Sequence, residues 1–123
     1  TGDFNDEPEA ESMQKFLKVH KVRDTLAPNK LYNLSAQWQN YGYGTHKYQG
    51  RWGVIDQFIV SGSLLADTAS LQTSKEKALI YAPDFLLEAD DKYVGKKPFR
   101  TFIGYRYHGG FSDHLPIILD LIR

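Results

Sequence analysis

The sequence predicts an α/β fold, α+β or a layered sandwich, built of strands with few helices. Three observations carry that expectation. Strand-length runs recur at Trp52–Ser61, Ala78–Ala82, Arg100–Tyr107 and Leu115–Leu121. Helical spacing is confined to the first third of the chain. The two patterns do not alternate as βαβ units would. The 123 residues suffice for one ordinary domain and not for two.

Thr1-Gly2-Asp3-Phe4-Asn5 reads as the end of a strand entering a loop. Pro8 with Glu9 and Glu11 suits a helical first turn. Met13, Phe16, Leu17 and His20 then fall on one helical face, so a helix is expected to run on and stop before Pro28. A second short helix is expected over 31–39. Tyr41-Gly42-Tyr43-Gly44 is loop chemistry, 45–49 a strand, and Gly50-Arg51 its turn. Trp52–Ser61 is apolar on both faces, as in a strand covered on both sides. The polar stretch 66–76 and the charged stretch 89–98 read as loops. Gly109-Gly110 separates the last two strands.

Composition bounds the function only loosely. Hydrophobic residues at 41% and charged residues at 24% are ordinary for a globular chain. Fifteen basic residues balance fifteen acidic ones, so global charge announces no nucleic-acid or acidic-lipid partner, although a local patch would suffice for one. The lack of cysteine removes disulfides, thiolate zinc sites and cysteine nucleophiles. No apolar run reaches the roughly 18 residues of a membrane span.

Chemistry concentrates at three places. Asp56 lies within the most apolar stretch, where a carboxylate is costly to bury unless paired; it is either a strand-edge Asp or one that orients a histidine. The best partner is His114, which follows Asp113 and the flexible Gly109-Gly110. Asp113 is a hard oxygen donor suited to Mg²⁺, or part of an ordinary turn. Asp3 and Asn5, at alternate positions, would share a face if extended. The carboxylate could take a proton from an attacking water and the amide could hold a phosphoryl oxygen; both are also common helix caps, which is the role preferred for Asp6. His20, His46 and His108 have no metal-ligand spacing and read as surface or core residues, His108 being nearest the site loop. The tyrosines, and Lys96-Lys97 with Arg100, read first as packing and solvated loop, second as a substrate cleft and phosphate patch.

Gly2-Asp3-Phe4-Asn5, the Trp52…Ile55-Asp56-Gln57-Phe58-Ile59-Val60-Ser61 run and Ser112-Asp113-His114-Leu115-Pro116-Ile117 resemble, in order, the last three motifs of the endonuclease/exonuclease/phosphatase family. Gly44-Thr45 and Gly109-Gly110 give the chain the flavour of its bacterial members. The resemblance implies the C-terminal half of a four-layered, DNase I-like α/β (α+β) sandwich across residues 1–123, with mostly antiparallel strands and few helices. It also implies Mg²⁺- or Mn²⁺-dependent hydrolysis of a phosphate ester. Asp3 would activate water, Asn5 would hold phosphate, and Asp56 would orient a phosphate-contacting His114. Asp113 would stand at the metal. The family's earlier motifs, with the principal metal-binding Glu, are expected on an N-terminal half of the same polypeptide, and Glu7, Glu9 and Glu11 stand in the wrong place to replace that Glu. The residues as given are therefore expected to bind metal poorly and to be inactive alone. Substrate stays open among nucleic acid, lipid headgroup and sugar or nucleotide phosphate; localisation is not fixed, and the resemblance to bacterial members points to export to the periplasm or cell envelope. The alternative is a non-catalytic binding or scaffold module on the same fold.

Overall fold

In a computed structural model of the chain, residues 1–23 and 25–123 are described. The architecture is α+β, strand-rich and, with one exception, antiparallel: only Val19–Lys21 and Leu31–Asn33 pair in parallel among the described residues. Two packs of strands face each other over one core. In one pack, Leu31–Asn33 is flanked by Val19–Lys21 and Ile59–Ser61. The other joins Ala78–Ile80 to Ile117–Leu119. Tyr32, Leu34, Trp38, Val54, Phe58, Leu65 and Ala78 fill the space between, with Val60, Ile80, Ile117 and Leu119 against them.

The first expected helix is nearly absent. A single π-type turn, Ser12–Phe16, buries Met13. Lys18 then adopts φ 54°, which no helix continues through, and Val19–Lys21 becomes a strand. Of the expected helix, Asp24 lies outside the described residues. The second expected helix splits. Leu31–Asn33 is a strand, and the 3-10 turn Ala36–Tyr41 follows it. Asn33 makes that switch, because its Oδ1 accepts from the N–H groups of Ser35 (2.8 Å) and Ala36 (3.1 Å). Side chains that bond nearby backbone groups compete in this way with regular structure.

The run Trp52–Ser61 also divides, into Arg51–Gly53, Asp56–Gln57 and Ile59–Ser61. Side-chain acceptors take backbone donors that a continuous strand would offer to a neighbour. Asp56 N–H goes to Thr45 Oγ1 (3.2 Å) and Phe58 N–H to Ser35 Oγ (2.9 Å). The fully buried Gln57 amide accepts from Asn33 Nδ2 and donates to Asp6 O (2.6 Å) and Val54 O (3.1 Å). Buried polar groups of this kind are tolerated only when bonded.

The charged stretch expected as loop is a hairpin, Leu87–Ala89 with Lys96–Pro98. Its register sets Lys97 opposite Glu88, so the charges that masked a strand pattern pair across it. Lys47 anchors its tip. The ammonium, 3% exposed, meets Asp90 Oδ2 at 2.8 Å and donates to Val94 O (2.9 Å) and Lys96 O (3.1 Å). Lys47, with help from the N–H groups of Tyr93 and Lys92, holds the Asp90 carboxyl down at about 2. A carboxyl depressed on folding from its usual 3.8 stabilises the fold above that pH and loses the contribution as pH falls toward about 2. Acid-unfolding curves are therefore expected to steepen between these values, and Lys47→Met is expected to flatten that limb while lowering the melting temperature at neutral pH. In the apolar core, Leu34→Ala is expected to cost about 2–5 kcal/mol in denaturant titrations.

Candidate active site

Three separate segments meet at one end of the core. Gly2–Asp3 pairs antiparallel with Asp56–Gln57, and the register sets Asp3 directly opposite Asp56. Two carboxylates in cross-strand register repel. Each has a local counterpart: Asp3 Oδ1 accepts the Asn5 N–H (2.7 Å), and Asp56 Oδ2 meets His114 Nδ1 (2.8 Å). Asn5 has φ 53°, so it reaches the site through a left-handed turn, not through the strand alternation expected of it. Asp6 is no backbone cap. Its carboxylate accepts from Ser12 Oγ (2.6 Å).

The loop that carries Asp113 and His114 is held from both sides. Gly109 turns at φ 89°, and Gly110 lies so close to the backbone that a Cβ there would stand 2.2 Å from Phe99 O. Ser112 Oγ accepts the His114 N–H (3.1 Å). Leu115 N–H then donates to Thr45 O (2.7 Å), and His114 forms an antiparallel bridge with His46. The fully buried Thr45 thus joins the loop to the backbone of Asp56, which its hydroxyl accepts from.

A carboxylate can only accept, so Asp56 fixes the hydrogen of His114 on Nδ1. Nε2 has no partner among the described residues. Ligand atoms of Asp3, Asp56 and His114 lie within 4.8 Å of one another, as do those of His46, Asp113 and His114. Asp113 is exposed. Carboxylates with water completing the shell suit Mg²⁺ or Mn²⁺, and Asp3, Asp56 and Asp113 offer that donor chemistry for either ion.

His46 is the residue that sequence spacing missed. Its ring lies 4.7 Å from that of His114, centroid to centroid, tilted by 39°. Burial, then the neighbouring His114 and Arg100, lower its pKa against the opposing pull of Asp113 and Asp56. The only hint was its place beside the Gly44-Thr45 pair. His108, nearer in sequence, is occupied elsewhere: its Nε2 meets Glu88 Oε2 at 2.8 Å and its ring packs edge-on against Phe99. Lys96 and Lys97 pair with Asp84 and Asp91 and form no free phosphate patch. Glu7 braces the fold by accepting from Gln39 Nε2 and Val54 N–H, while Glu9 and Glu11 pair with Lys21 and Lys15.

The chain is thus a strand-rich α+β domain with an Asp-oriented histidine beside an Asp-Asn turn. The sequence profile described as Endonuclease/Exonuclease/phosphatase family matches residues 1–123, and the chain belongs to that family. A search of curated proteins returned no match, and neither did one of solved structures.

If Asp56 alone orients His114, Asp56→Ala should free the ring. Imidazole ¹⁵N spectra are then expected to change from a single tautomer, protonated at Nδ1, to the exchanging mixture of an unrestrained side chain.

Proposed function

We propose that the site hydrolyses a phosphate ester by attack of water at phosphorus. The observation that carries this reading is the convergence of Asp3, Asn5, Asp56, Asp113 and His114 from three segments onto one end of the core. Asp3 keeps one carboxylate oxygen beyond its bond to Asn5 N–H, and that oxygen receives the proton of the attacking water. The Asn5 amide donates to a phosphoryl oxygen as charge builds on it, and His114, as the imidazolium with a hydrogen on each ring nitrogen, donates to another from Nε2. Asp56 accepts from His114 Nδ1–H and so holds the ring in the orientation this contact needs. Asp113 would hold a Mg²⁺ or Mn²⁺, which supplies charge neutralisation at the phosphoryl group when bound.

The reading includes a companion N-terminal half of the same polypeptide that brings the principal metal-binding Glu. Two features support it. Among the described residues, Glu7, Glu9 and Glu11 are committed to structural bonds. The cross-strand pair Leu79 and Ile118 leaves apolar surface exposed on the outer face of its sheet, where further chain would cover it.

In the full-length protein with Mg²⁺ or Mn²⁺, His114→Ala is expected to lower kcat on DNA, phosphoinositide, sphingomyelin or sugar-phosphate substrates by about 10²–10³-fold, the cost of one transition-state donor. Residues 1–123 alone are expected to bind metal weakly in calorimetry and to show no enzyme-like turnover. Enzyme-like turnover by that piece would contradict the division of the site between two halves.

A further inference from the structure

His46 is half-buried, and among the described residues neither ring nitrogen has a hydrogen-bond partner, in contrast to His108 and His114. Solvent reaches the ring, so a ligand that enters beside it finds a hydrogen-bonding group not engaged by the protein. Its setting favours a ligand. His114 lies against the ring, which also lines a cleft of about 410 Å³ with Asn5, Glu7, Tyr48 and Arg51, the Glu7 carboxylate being engaged by Gln39 Nε2 and the Val54 N–H. That volume is in the range of small-molecule sites, roughly 300–1,000 Å³, and exceeds what a bare phosphoryl group needs.

The hairpin residues of the cleft have their own chemistry. Tyr48 and Arg51 are cross-strand partners flanking the turn at Gln49 (φ 47°) and Gly50 (φ 82°), and both are exposed. Among the described residues Arg51 has no acidic partner within salt-bridge distance. A phenol ring beside an unpaired guanidinium suits a planar or anionic substituent.

We propose that His46 is a substrate-binding residue at the junction of the phosphoryl site and this cleft, and that the cleft receives the second, non-leaving substituent of a phosphodiester. His46 donates a hydrogen bond on the substituent side of phosphorus, and Tyr48 and Arg51 hold the substituent itself. The inference rests on the hydrolase reading above and narrows it: diesters, not monoesters, fit the site. Polynucleotides and small diesters share this chemistry.

The test compares bis(para-nitrophenyl) phosphate, para-nitrophenyl phosphate and a dinucleotide as substrates of the full-length protein. His46→Ala is expected to raise KM for both diesters by about tenfold, the loss of one hydrogen bond to a charged group, with a smaller change in kcat. His46→Gln, which keeps a donor, recovers part of the loss. Tyr48→Ala, at an exposed hairpin position, raises KM for the diesters more than for the monoester. A larger loss on the dinucleotide than on the nitrophenyl diester assigns the subsite to polynucleotides, and an equal loss assigns it to small diesters. Weaker Mn²⁺ binding by His46→Ala, with KM following the metal, would make His46 a metal ligand and overturn the proposal. Unchanged KM, or equal loss on monoester and diester, would overturn it too. Calorimetry with a non-hydrolysable phosphonate diester separates the two inferences. Binding that needs His46, without turnover, sinks the hydrolase reading alone. Turnover with a diester KM indifferent to His46 sinks this one alone, and neither binding nor turnover sinks both.

Discussion

Thr45 is the constraint on which the site depends. It is fully buried between the hairpin that carries His46 and the loop that carries His114. Its carbonyl accepts from Leu115, its hydroxyl accepts from Asp56, and its N–H donates to Gly53 O at 2.8 Å. One residue therefore sets the relative positions of three chemical groups far apart in sequence. A buried backbone group left without a partner costs on the order of 1–3 kcal/mol, so these bonds lock together. The 2.8 Å contact between His114 and Asp56 follows from that arrangement and in turn orients the imidazole.

The same geometry concentrates unfavourable charge. Asp3 stands opposite Asp56, and Asp113 lies against the two imidazoles. A fold selected for stability alone would avoid carboxylates in direct register. Here the repulsion is met by the Asn5 amide hydrogen and the His114 ring, which leaves a local excess of acceptors facing solvent. Such a patch gains from a divalent cation or a transferable proton, and the hydrolysis proposed above would use both. The left-handed turn at Asn5 adds a strained backbone residue at the point where chemistry is expected.

Much of this was legible in the sequence, unevenly. Asp3, Asn5, Asp56, Asp113 and His114 stood out as polar groups at strand ends or inside apolar runs, and the fold brings them together. The strand-rich class was legible from the same runs. The helix after Pro8 was misread because helical spacing says nothing of the left-handed Lys18. Trp52–Ser61 looked continuous because apolar residues fill it, while Thr45 and Ser35, which break its ladder, lie elsewhere in the chain. The hairpin around 87–98 was hidden by charges that are satisfied only across strands and by Lys47. His46 escaped because its partner lies 68 positions on and nothing local marks the contact.

The central claim is that Asp56 and His114 act as one unit on a phosphoryl group. A double-mutant cycle in the full-length protein measures this directly: kcat/KM for a phosphodiester in Asp56→Ala, His114→Ala and the double variant. If Asp56 works only through His114, the double variant is no slower than His114→Ala. Fully additive losses would contradict the account, because they would give each residue an independent role.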